Sequence, residues 1–383
     1  MRIALVAGEA SGDLLGAGLI RAIRRSHPDA TFAGMAGPAM RAEGCAAWWP
    51  HDAIAVMGIF EVLAQLPRLL ALRREIVARL LADPPDLFIG IDSPDFTLGL
   101  ERQLRDAGVR TVHYVSPTVW AWRPGRVAGI AASADRVLCL FPFEPAYYEG
   151  QPTRALFVGH PAADTLKPVA DRGAARRALG IPTDGPLLAV LPGSRAGEVA
   201  RLGARFAGAL ALLARAHPAL RIAAPMVDAE RSQEFRVALT RHASGVEVTL
   251  LDGRSRELLA AADVALVASG TATLETMLVG TPMVVGYRLA PLTHWLLNAF
   301  RMVEAKRFAL PNILAGREVV PELMQGECNA ERLASALELL LSNADARAAQ
   351  RQAFDALRAT LAVGADARAA AAVLELMTSG ATR

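Results

Sequence analysis

Short runs of apolar residues alternate along this chain with longer stretches whose apolar positions recur every three or four residues. The apolar runs of the first half are Ile3–Ala7, Leu87–Ile91, Thr111–Val115, Arg136–Phe141 and Ala155–Val158. Those of the second half are Leu187–Leu191, Leu220–Ala224, Val246–Leu251, Val264–Ala268 and Met283–Gly286. Runs of this kind, separated by helices, predict parallel strands that are covered on both faces. We therefore expect an α/β protein of two doubly wound, Rossmann-like domains that face a central cleft.

One local device occurs in both halves: an apolar strand that leads through a glycine-containing loop into a helix. In the first half the loop holds Gly8, Ser11 and Gly12, and in the second half it holds Gly193 and Ser194. Backbone amides and helix N-termini in such loops favour anions. The repetition predicts a phosphorylated ligand held between twin domains. The glycine spacing of the first loop differs from the dinucleotide fingerprint, so a nicotinamide site is not favoured.

A carboxylate follows one of the predicted strands directly. Asp92 is the first polar residue after the apolar run Leu87–Ile91, and Pro94 stops the strand from continuing. Ligands of open α/β sheets lie beyond the carboxyl ends of the strands, where an aspartate can serve as a general base toward a hydroxyl. Alternatively, Asp92 or Asp95 caps the helix that follows. The pattern leaves both interpretations open.

The second half offers groups suited to a diphosphate. Arg195 follows the glycine loop, and its guanidinium matches phosphate oxygens, although a surface arginine on a turn is the simpler interpretation. After the run Val264–Ala268 come small hydroxyl residues at a helix start, and one turn later a carboxylate that could accept hydrogen bonds from ribose. These candidates are Ser269, Gly270, Thr271, Thr273 and Glu275, and the alternative is an ordinary capped helix.

Composition excludes several classes of protein. Of the 383 residues 53% are hydrophobic, the net charge is only +3, and no basic run is interleaved with aromatic residues, so no nucleic acid partner is expected. The three cysteines are isolated, and no metal-binding or nucleotide-loop motif occurs, so neither a metal nor a cofactor is expected. Without a signal peptide or an apolar span, the chain is expected in the cytoplasm or on a cytoplasmic membrane face.

One predicted helix carries an apolar stripe with arginines between its members. The stripe consists of Phe60, Leu63, Leu66, Leu69 and Leu70, and the arginines are Arg68, Arg73, Arg74 and Arg79. A core-facing helix has the same pattern. A basic amphipathic helix is also how a peripheral enzyme reaches a lipid substrate, so both interpretations stay open.

Taken together, several segments resemble the lipid-A-disaccharide synthase family over nearly the whole chain. They are Val6–Asp13, Gly90–Phe96, His113–Pro117, Val119–Arg123, Leu191–Arg195, Ala268–Glu275 and Leu310–Glu318. The resemblance implies an inverting, metal-independent glycosyltransferase of the GT-B type. It would join UDP-2,3-diacylglucosamine to 2,3-diacylglucosamine 1-phosphate, giving the β-1,6-linked lipid A disaccharide 1-phosphate and UDP.

The same resemblance implies roles for particular residues and segments. The family's essential aspartate and arginine fall on Asp92 and Arg195, and its Leu-Pro-Asn motif places Asn312 near the nucleotide. Residues 1–164 would form the acceptor and membrane-facing domain, and residues 165–345 the UDP-sugar domain. Residues 346–383 would pack back on the first domain or exchange within a homodimer. The stripe of Phe60 to Leu70 would contact anionic lipids on the cytoplasmic face of the inner membrane.

Two other functions share parts of this pattern. A UDP-sugar 2-epimerase has the twin domains and the nucleotide site but needs no lipid-facing helix. A non-enzymatic, membrane-associated nucleotide-binding module would have no use for Asp92. Incubation with the donor, with and without acceptor, distinguishes the three.

Overall fold

The computed structural model describes residues 1–54, 59–120, 124–169, 171–289 and 307–378, and it excludes the side chains of residues 59–64 and 124. The chain forms two compact units: residues 1–164 together with 360–383, and residues 165–359. The first unit therefore ends within the segment from Gly159 to Pro168, where proline and glycine interrupt the sequence pattern.

The first unit is built on a seven-stranded sheet, with the order β3-β2-β1-β4-β5-β6-β7 and all strand pairs parallel. Its strands are β1 Arg2–Ala7, β2 Thr31–Ala36, β3 Ala46–Pro50, β4 Leu87–Ile91, β5 Arg110–Tyr114, β6 Arg136–Cys139 and β7 Arg154–Phe157. Its helices begin with α1 Ala10–Ser26, α2 Pro38–Ala42, α3 Ile59–Ala82, α4 Pro94–Asp106, α5 Val127–Ser133 and α6 Pro161–Thr165, with 3₁₀ turns at His51–Ile54, Pro124–Arg126 and Glu144–Tyr148. This is the doubly wound order, in which the chain reverses direction across the sheet between β1 and β4.

The second unit has a six-stranded parallel sheet, in the order β10-β9-β8-β11-β12-β13. Its strands are β8 Leu187–Leu191, β9 Arg221–Met226, β10 Thr249–Asp252, β11 Val264–Ala268, β12 Met283–Tyr287 and β13 Glu322–Met324. Its helices are α7 Arg172–Ala178, α8 Ala196–Ala216, α9 Ala229–His242, α10 Ser255–Ala261, α11 Thr271–Val279, α12 Leu310–Ala315, α13 Ala330–Ser342 and α14 Ala344–Leu361. The prediction of two Rossmann-like, parallel-sheet units is confirmed.

The last described helix, α15 (Ala365–Thr378), packs on α1 and completes the core of the first unit. Ala369 and Val373 are fully buried there. Arg136 of β6 reaches the helix as well, and its guanidinium donates to Glu375 at 3.3 Å. The C-terminal segment thus stabilises the first unit by burying its apolar face against helix α1.

Strands β2, β3 and β13 were not predicted. In β2 a glycine interrupts the apolar run, and the structure shows why it is there: a Cβ on Gly34 would lie 2.0 Å from the Leu5 carbonyl oxygen. Strand β3 is a five-residue edge strand whose residues are mostly exposed although all of them are apolar. Within the described part of the chain, no helix is long and apolar enough to cross a membrane.

Candidate functional site

The carboxyl ends of β1, β4 and β5 bring three loops together in the first unit. Ala7 pairs with Ile91, and Ile91 pairs with Tyr114, so the residues that follow these strands lie side by side. Gly8 touches the next loop so closely that a Cβ there would lie 2.7 Å from the Ser93 hydroxyl oxygen. This edge is where open α/β sheets bind ligands.

Asp92 stands on strained backbone at this edge. Asp92 and Ser93 have φ values of 53° and 46°, and Val115 in the adjacent loop has a φ of 84°. The left-handed region is unfavourable for a β-branched residue such as valine, and strained residues concentrate at functional sites. The Asp92 amide donates to the Tyr114 carbonyl at 2.8 Å, and the Thr97 hydroxyl donates to the Asp92 carbonyl at 2.8 Å. These bonds fix the backbone from both sides.

The Asp92 side chain does not act as the cap of helix α4. The N-cap residue is Ser93, which makes no side-chain capping bond. Among the residues that the structure describes, nothing donates a hydrogen bond to the Asp92 carboxylate, which is partly exposed. Asp95, the alternative candidate, is 88% exposed and paired with Arg126. The geometry therefore presents Asp92, and not Asp95, as an available base.

A buried, hydrogen-bonded pair of side chains lies directly behind this loop. His113 of β5 and Glu101 of α4 are both fully buried, and Nδ1 of the imidazole lies 2.7 Å from Oε1 of the carboxyl group. Burial raises the pKa of Glu101. The couple fills the space over Gly90, the partner of His113 in the sheet. Sequence reasoning missed it, although a histidine inside an otherwise apolar strand was the available signal.

Two of the three candidate residues in the first glycine loop, Gly8 and Gly12, lie inside the fold. Gly8 and Gly12 are buried, and a Cβ on Gly12 would be in ordinary contact with Ala7 at 3.4 Å. Ser11 is exposed. The next residue, Asp13, is 3% exposed, and its carboxylate accepts from the amides of Gly37, Ala39 and Met40 at 2.8, 2.8 and 3.1 Å. It anchors the start of α2.

Helix α3 changes character along its length. Toward its C-terminal end, Ile76, Val77 and Leu80 are buried in the core. Earlier in the helix, Leu66 is 43% exposed, and Leu69 and Leu70 are partly exposed. The side chains of Phe60 and Leu63, which belong to the same predicted stripe, lie outside the described residues. The core-facing interpretation thus holds for Ile76, Val77 and Leu80, and the lipid contact of Leu66, Leu69 and Leu70 stays a prediction.

In the second unit, the loop after β8 needs its glycine. Gly193 has a φ of 114°, and a Cβ there would lie 2.6 Å from Glu198 Oε2. The Glu198 carboxylate accepts from the amides of Ser194 and Arg195 at 3.1 and 3.3 Å. These two backbone amides, which the sequence pattern predicts as anion donors, are therefore already hydrogen-bonded within the protein. The Arg195 side chain is 78% exposed and lies 3.8 Å from Glu198.

The loop after β11 lies beside the loop after β8, because Leu191 pairs with Val267. Gly270 and Thr271 are exposed at the start of α11, and a Cβ on Gly270 would meet open space. Ser269 donates to the Phe308 carbonyl at 3.3 Å. Thr273 is fully buried, and its hydroxyl donates to the Gly270 carbonyl at 2.7 Å. Thr273 is therefore buried and stabilises the turn at Gly270, and its contact with a ligand stays a prediction.

Two further predicted residues are held by partners that the sequence did not suggest. Glu275 accepts from the Arg256 guanidinium at 2.9 and 3.2 Å. Asn312 is 1% exposed: its amide donates to the Val320 carbonyl and to Glu322 at 3.0 and 3.1 Å, and its oxygen accepts from the backbone. All its hydrogen-bonding capacity serves the fold around α12. Within the described ranges, no group of three His, Cys, Asp or Glu could hold a metal ion.

Comparison with known proteins identifies the family. The family model described as lipid-A-disaccharide synthetase matches residues 3–375. The chain is 50% identical to the lipid-A-disaccharide synthase of Erwinia tasmaniensis over 98% of both chains. It is 52% identical to that of Xanthomonas campestris pv. campestris over 98% of this chain and 86% of the relative. The chain belongs to the lipid-A-disaccharide synthase family.

Solved structures agree on the fold. The UDP-GlcNAc 2-epimerase from Neisseria meningitidis, bound to UDP-GlcNAc, gives a TM-score of 0.66 at 11% identity over 99% of this chain and all of that one. Acinetobacter baumannii MurG gives 0.58 at 15% identity over 99% of both chains. At such low identity these neighbours show the GT-B-type fold alone, which epimerases and glycosyltransferases share. Membership in the synthase family decides between them, so the prediction of a glycosyltransferase of lipid A synthesis is confirmed.

Proposed function

We propose that the first unit binds the acceptor, 2,3-diacylglucosamine 1-phosphate, and the second unit binds the donor, UDP-2,3-diacylglucosamine. The product is the β-1,6-linked lipid A disaccharide 1-phosphate, with UDP released. The observation that carries this proposal is the partly exposed Asp92 carboxylate at the end of β4, on backbone held in the left-handed region. Such an arrangement suits a group that must stay free for a reacting hydroxyl.

Asp92 acts in this reaction as the general base. The oxygen of the acceptor 6-hydroxyl attacks the anomeric carbon of the donor from the face opposite to UDP. As the new C–O bond forms, Asp92 takes the hydroxyl proton, and the bond between the anomeric carbon and the phosphate oxygen breaks. UDP leaves with that electron pair, and the configuration at the anomeric carbon inverts.

Arg195 stabilises the charge that develops on the departing diphosphate. Its guanidinium is 78% exposed at the loop after β8, next to the exposed start of α11 at Gly270 and Thr271. The amides of Ser194 and Arg195 are engaged by Glu198, so the guanidinium is the more available group on this loop. A positioned cation at a leaving phosphate contributes to catalysis as an oxyanion hole does.

The experiment that tests the proposal compares Asp92→Asn with Asp95→Asn. Replacing Asp92 removes basicity and keeps shape, so we expect turnover to fall roughly a hundredfold or more. The matched control lies three residues away on the exposed start of α4 and is expected to keep turnover within about twofold. Disaccharide formation from both substrates is measured. Near-normal turnover of Asp92→Asn would refute Asp92 as the base, and UDP release without acceptor would favour an epimerase or a hydrolase.

The membrane and dimer assignments belong to the same proposal. Both substrates carry acyl chains, so the enzyme must work at a lipid surface, and we assign that contact to α3 at the cytoplasmic face of the inner membrane. The exposed Leu66, the partly exposed Leu69 and Leu70, and the exposed Arg68 and Arg74 support it. Apolar burial and attraction to anionic headgroups would act together there. A homodimer is proposed from the family alone.

A further inference from the structure

Four half-buried rings cluster in the first unit outside the residues discussed so far. Phe141 and Phe143 stack with an interplanar angle of 4° and a centroid separation of 5.8 Å. Trp120 meets Phe143 edge-on at 5.6 Å, and His160 lies 5.9 Å from Phe141. We call these four side chains the aromatic patch. Each is partly exposed, so the patch is a surface and not part of the core.

The patch lies at the same edge of the sheet as Asp92. The Val115 amide donates to the Leu138 carbonyl, and the Val158 amide donates to the Cys139 carbonyl, so the ladder stays in register to the ends of β5, β6 and β7. Phe141 follows β6 by two residues. Because neighbouring strands lie about 4.8 Å apart, the end of β6 is roughly 10 Å from the end of β4.

The patch carries no charge at neutral pH. Beneath it, Glu144 is 2% exposed and accepts from the Phe141 amide at 2.9 Å, and burial raises its pKa to about 8. Burial therefore favours the protonated, neutral form of this carboxyl group. The Ala162 amide donates to His160 Nδ1 at 3.2 Å, and burial lowers the pKa of this imidazole to about 4. A surface of neutral rings suits an apolar ligand better than a phosphate.

On the opposite side of Asp92, the described residues at the end of β1 are closely packed. There Gly8 packs so tightly that a Cβ would lie 2.3 Å from Ile54 and 2.7 Å from the Ser93 hydroxyl oxygen. In a 2,3-diacylated glucosamine, the acyl groups leave the ring on the side opposite to the 6-hydroxyl. A ring whose 6-hydroxyl meets Asp92 directs its acyl groups away from this loop, and the aromatic patch lies along the sheet edge on the side of β5 and β6.

We propose that the aromatic patch binds an acyl chain of the acceptor sugar and makes the enzyme selective for long-chain acceptors. This rests on the proposed function, since it assumes that the acceptor hydroxyl is deprotonated at Asp92. The stacked faces of Phe141 and Phe143 provide contact for successive methylene groups, each of which contributes free energy by leaving water. Binding at this position also turns the 6-hydroxyl toward the base.

The test compares Phe143→Ala with Tyr147→Ala, a control that removes a 43% exposed aromatic side chain from the same segment. The kcat/KM is measured with acceptors that carry long or short acyl chains. For Phe143→Ala we expect roughly a tenfold loss with the long-chain acceptor, mainly in KM, and less than about a twofold change with the short-chain acceptor. Tyr147→Ala is expected to leave both values unchanged.

Equal losses with both acceptors, or no loss with either, would overturn the proposal. If Phe143→Ala does not fold, Phe143→Leu is used in its place, because leucine keeps the apolar volume and removes the aromatic face that stacks. The proposed function fails separately: it fails when the unmodified enzyme forms no disaccharide from either acceptor, or when Asp92→Asn turns over normally. Loss of chain-length selectivity with Asp92 chemistry intact is the result that supports the patch.

Discussion

Gly90→Ala is the substitution that most directly tests the architecture behind Asp92. The added Cβ would lie 2.0 Å from Glu101 Oε1 and 2.9 Å from Thr97 Cβ. Neither neighbour can move cheaply. Glu101 is fully buried against His113 at 2.7 Å, and the Thr97 hydroxyl holds the Asp92 carbonyl at 2.8 Å. The methyl group must therefore displace the buried couple or the strand.

The expected change in the free energy of unfolding combines two destabilising contributions and one stabilising contribution. Overpacking a core site costs about 1–3 kcal/mol, and a buried polar group that loses its partner costs about 1–3 kcal/mol more. In the other direction, alanine stabilises the protein by about 0.4–1 kcal/mol because it lowers the conformational entropy of the unfolded chain. We expect a net loss of about 2–4 kcal/mol in the free energy of unfolding, which for a chain of this size lowers Tm by about 2–4 °C per kcal/mol. Because Gly90 lies two residues before Asp92, turnover should fall as well.

The assay is thermal unfolding of four chains: the unmodified protein, Gly90→Ala, Glu101→Ala and the double variant. Removal of the Glu101 carboxylate makes room for the methyl group, so Gly90→Ala should cost much less in the Glu101→Ala background. Gly129→Ala serves as the control, because a Cβ there meets nothing within 4 Å. Equal costs in both backgrounds would refute the argument, since the clash would then not involve Glu101.

Three further predictions address other parts of the molecule. Arg195→Ala should lower turnover by roughly a hundredfold, because it removes the cation that we propose beside the leaving diphosphate. Addition of EDTA should leave activity unchanged, and activity that is lost on chelation and restored by a divalent ion would contradict this. The double variant Leu66→Ser, Leu69→Ser should keep its Tm but lose sedimentation with anionic vesicles, each leucine contributing on the order of 1 kcal/mol; a collapse of Tm with vesicle binding intact would return the segment to the core. The pKa of Glu144 is about 8 in the folded protein, against its ordinary value of 4.5. The resulting contribution to the free energy of unfolding is complete below pH 4.5 and is lost as the pH rises through 8. As the pH rises from about 5 to 8, the Tm of Glu144→Gln should therefore rise relative to that of the unmodified protein. A Tm difference that stays constant over this range would refute the raised pKa of Glu144.

Most of the strands could be predicted from the sequence, because continuous apolar runs have few alternatives in an α/β fold whose sheets are covered on both faces. Asp92 could be found in the same way, as the first polar residue after such a run. Its left-handed backbone could not, because that conformation depends on the Tyr114 carbonyl and the Thr97 hydroxyl, which the fold brings to it. The pattern of apolar and polar residues predicts the position of a side chain along a strand, but it does not predict the backbone conformation of that residue.

Several predicted contact residues have hydrogen-bond partners inside the fold, and their contact with a ligand stays a prediction. Thr273 and Asn312 have the hydrogen-bonding groups of ligand contacts, but the fold buries them and uses those groups itself. Glu275 is also a predicted ligand contact, and it accepts from the Arg256 guanidinium; at Ser194 the backbone amide, not the hydroxyl, donates to Glu198. A sequence shows donors and acceptors but not which of them are already satisfied, and that depends on partners distant in the chain.

The satisfied groups help to identify the reactive ones. Asp13, Glu198 and Glu275 all have donors in the described structure, whereas the carboxylate of Asp92 has none there. A general base must be free to accept a proton from the substrate hydroxyl. Among these four carboxylates, Asp92 is the one that no donor of the described residues engages, which supports the proposal that it is the base. The same reasoning explains why the buried couple beside it is a support: Glu101 and His113 are fully enclosed, so no sugar hydroxyl reaches them.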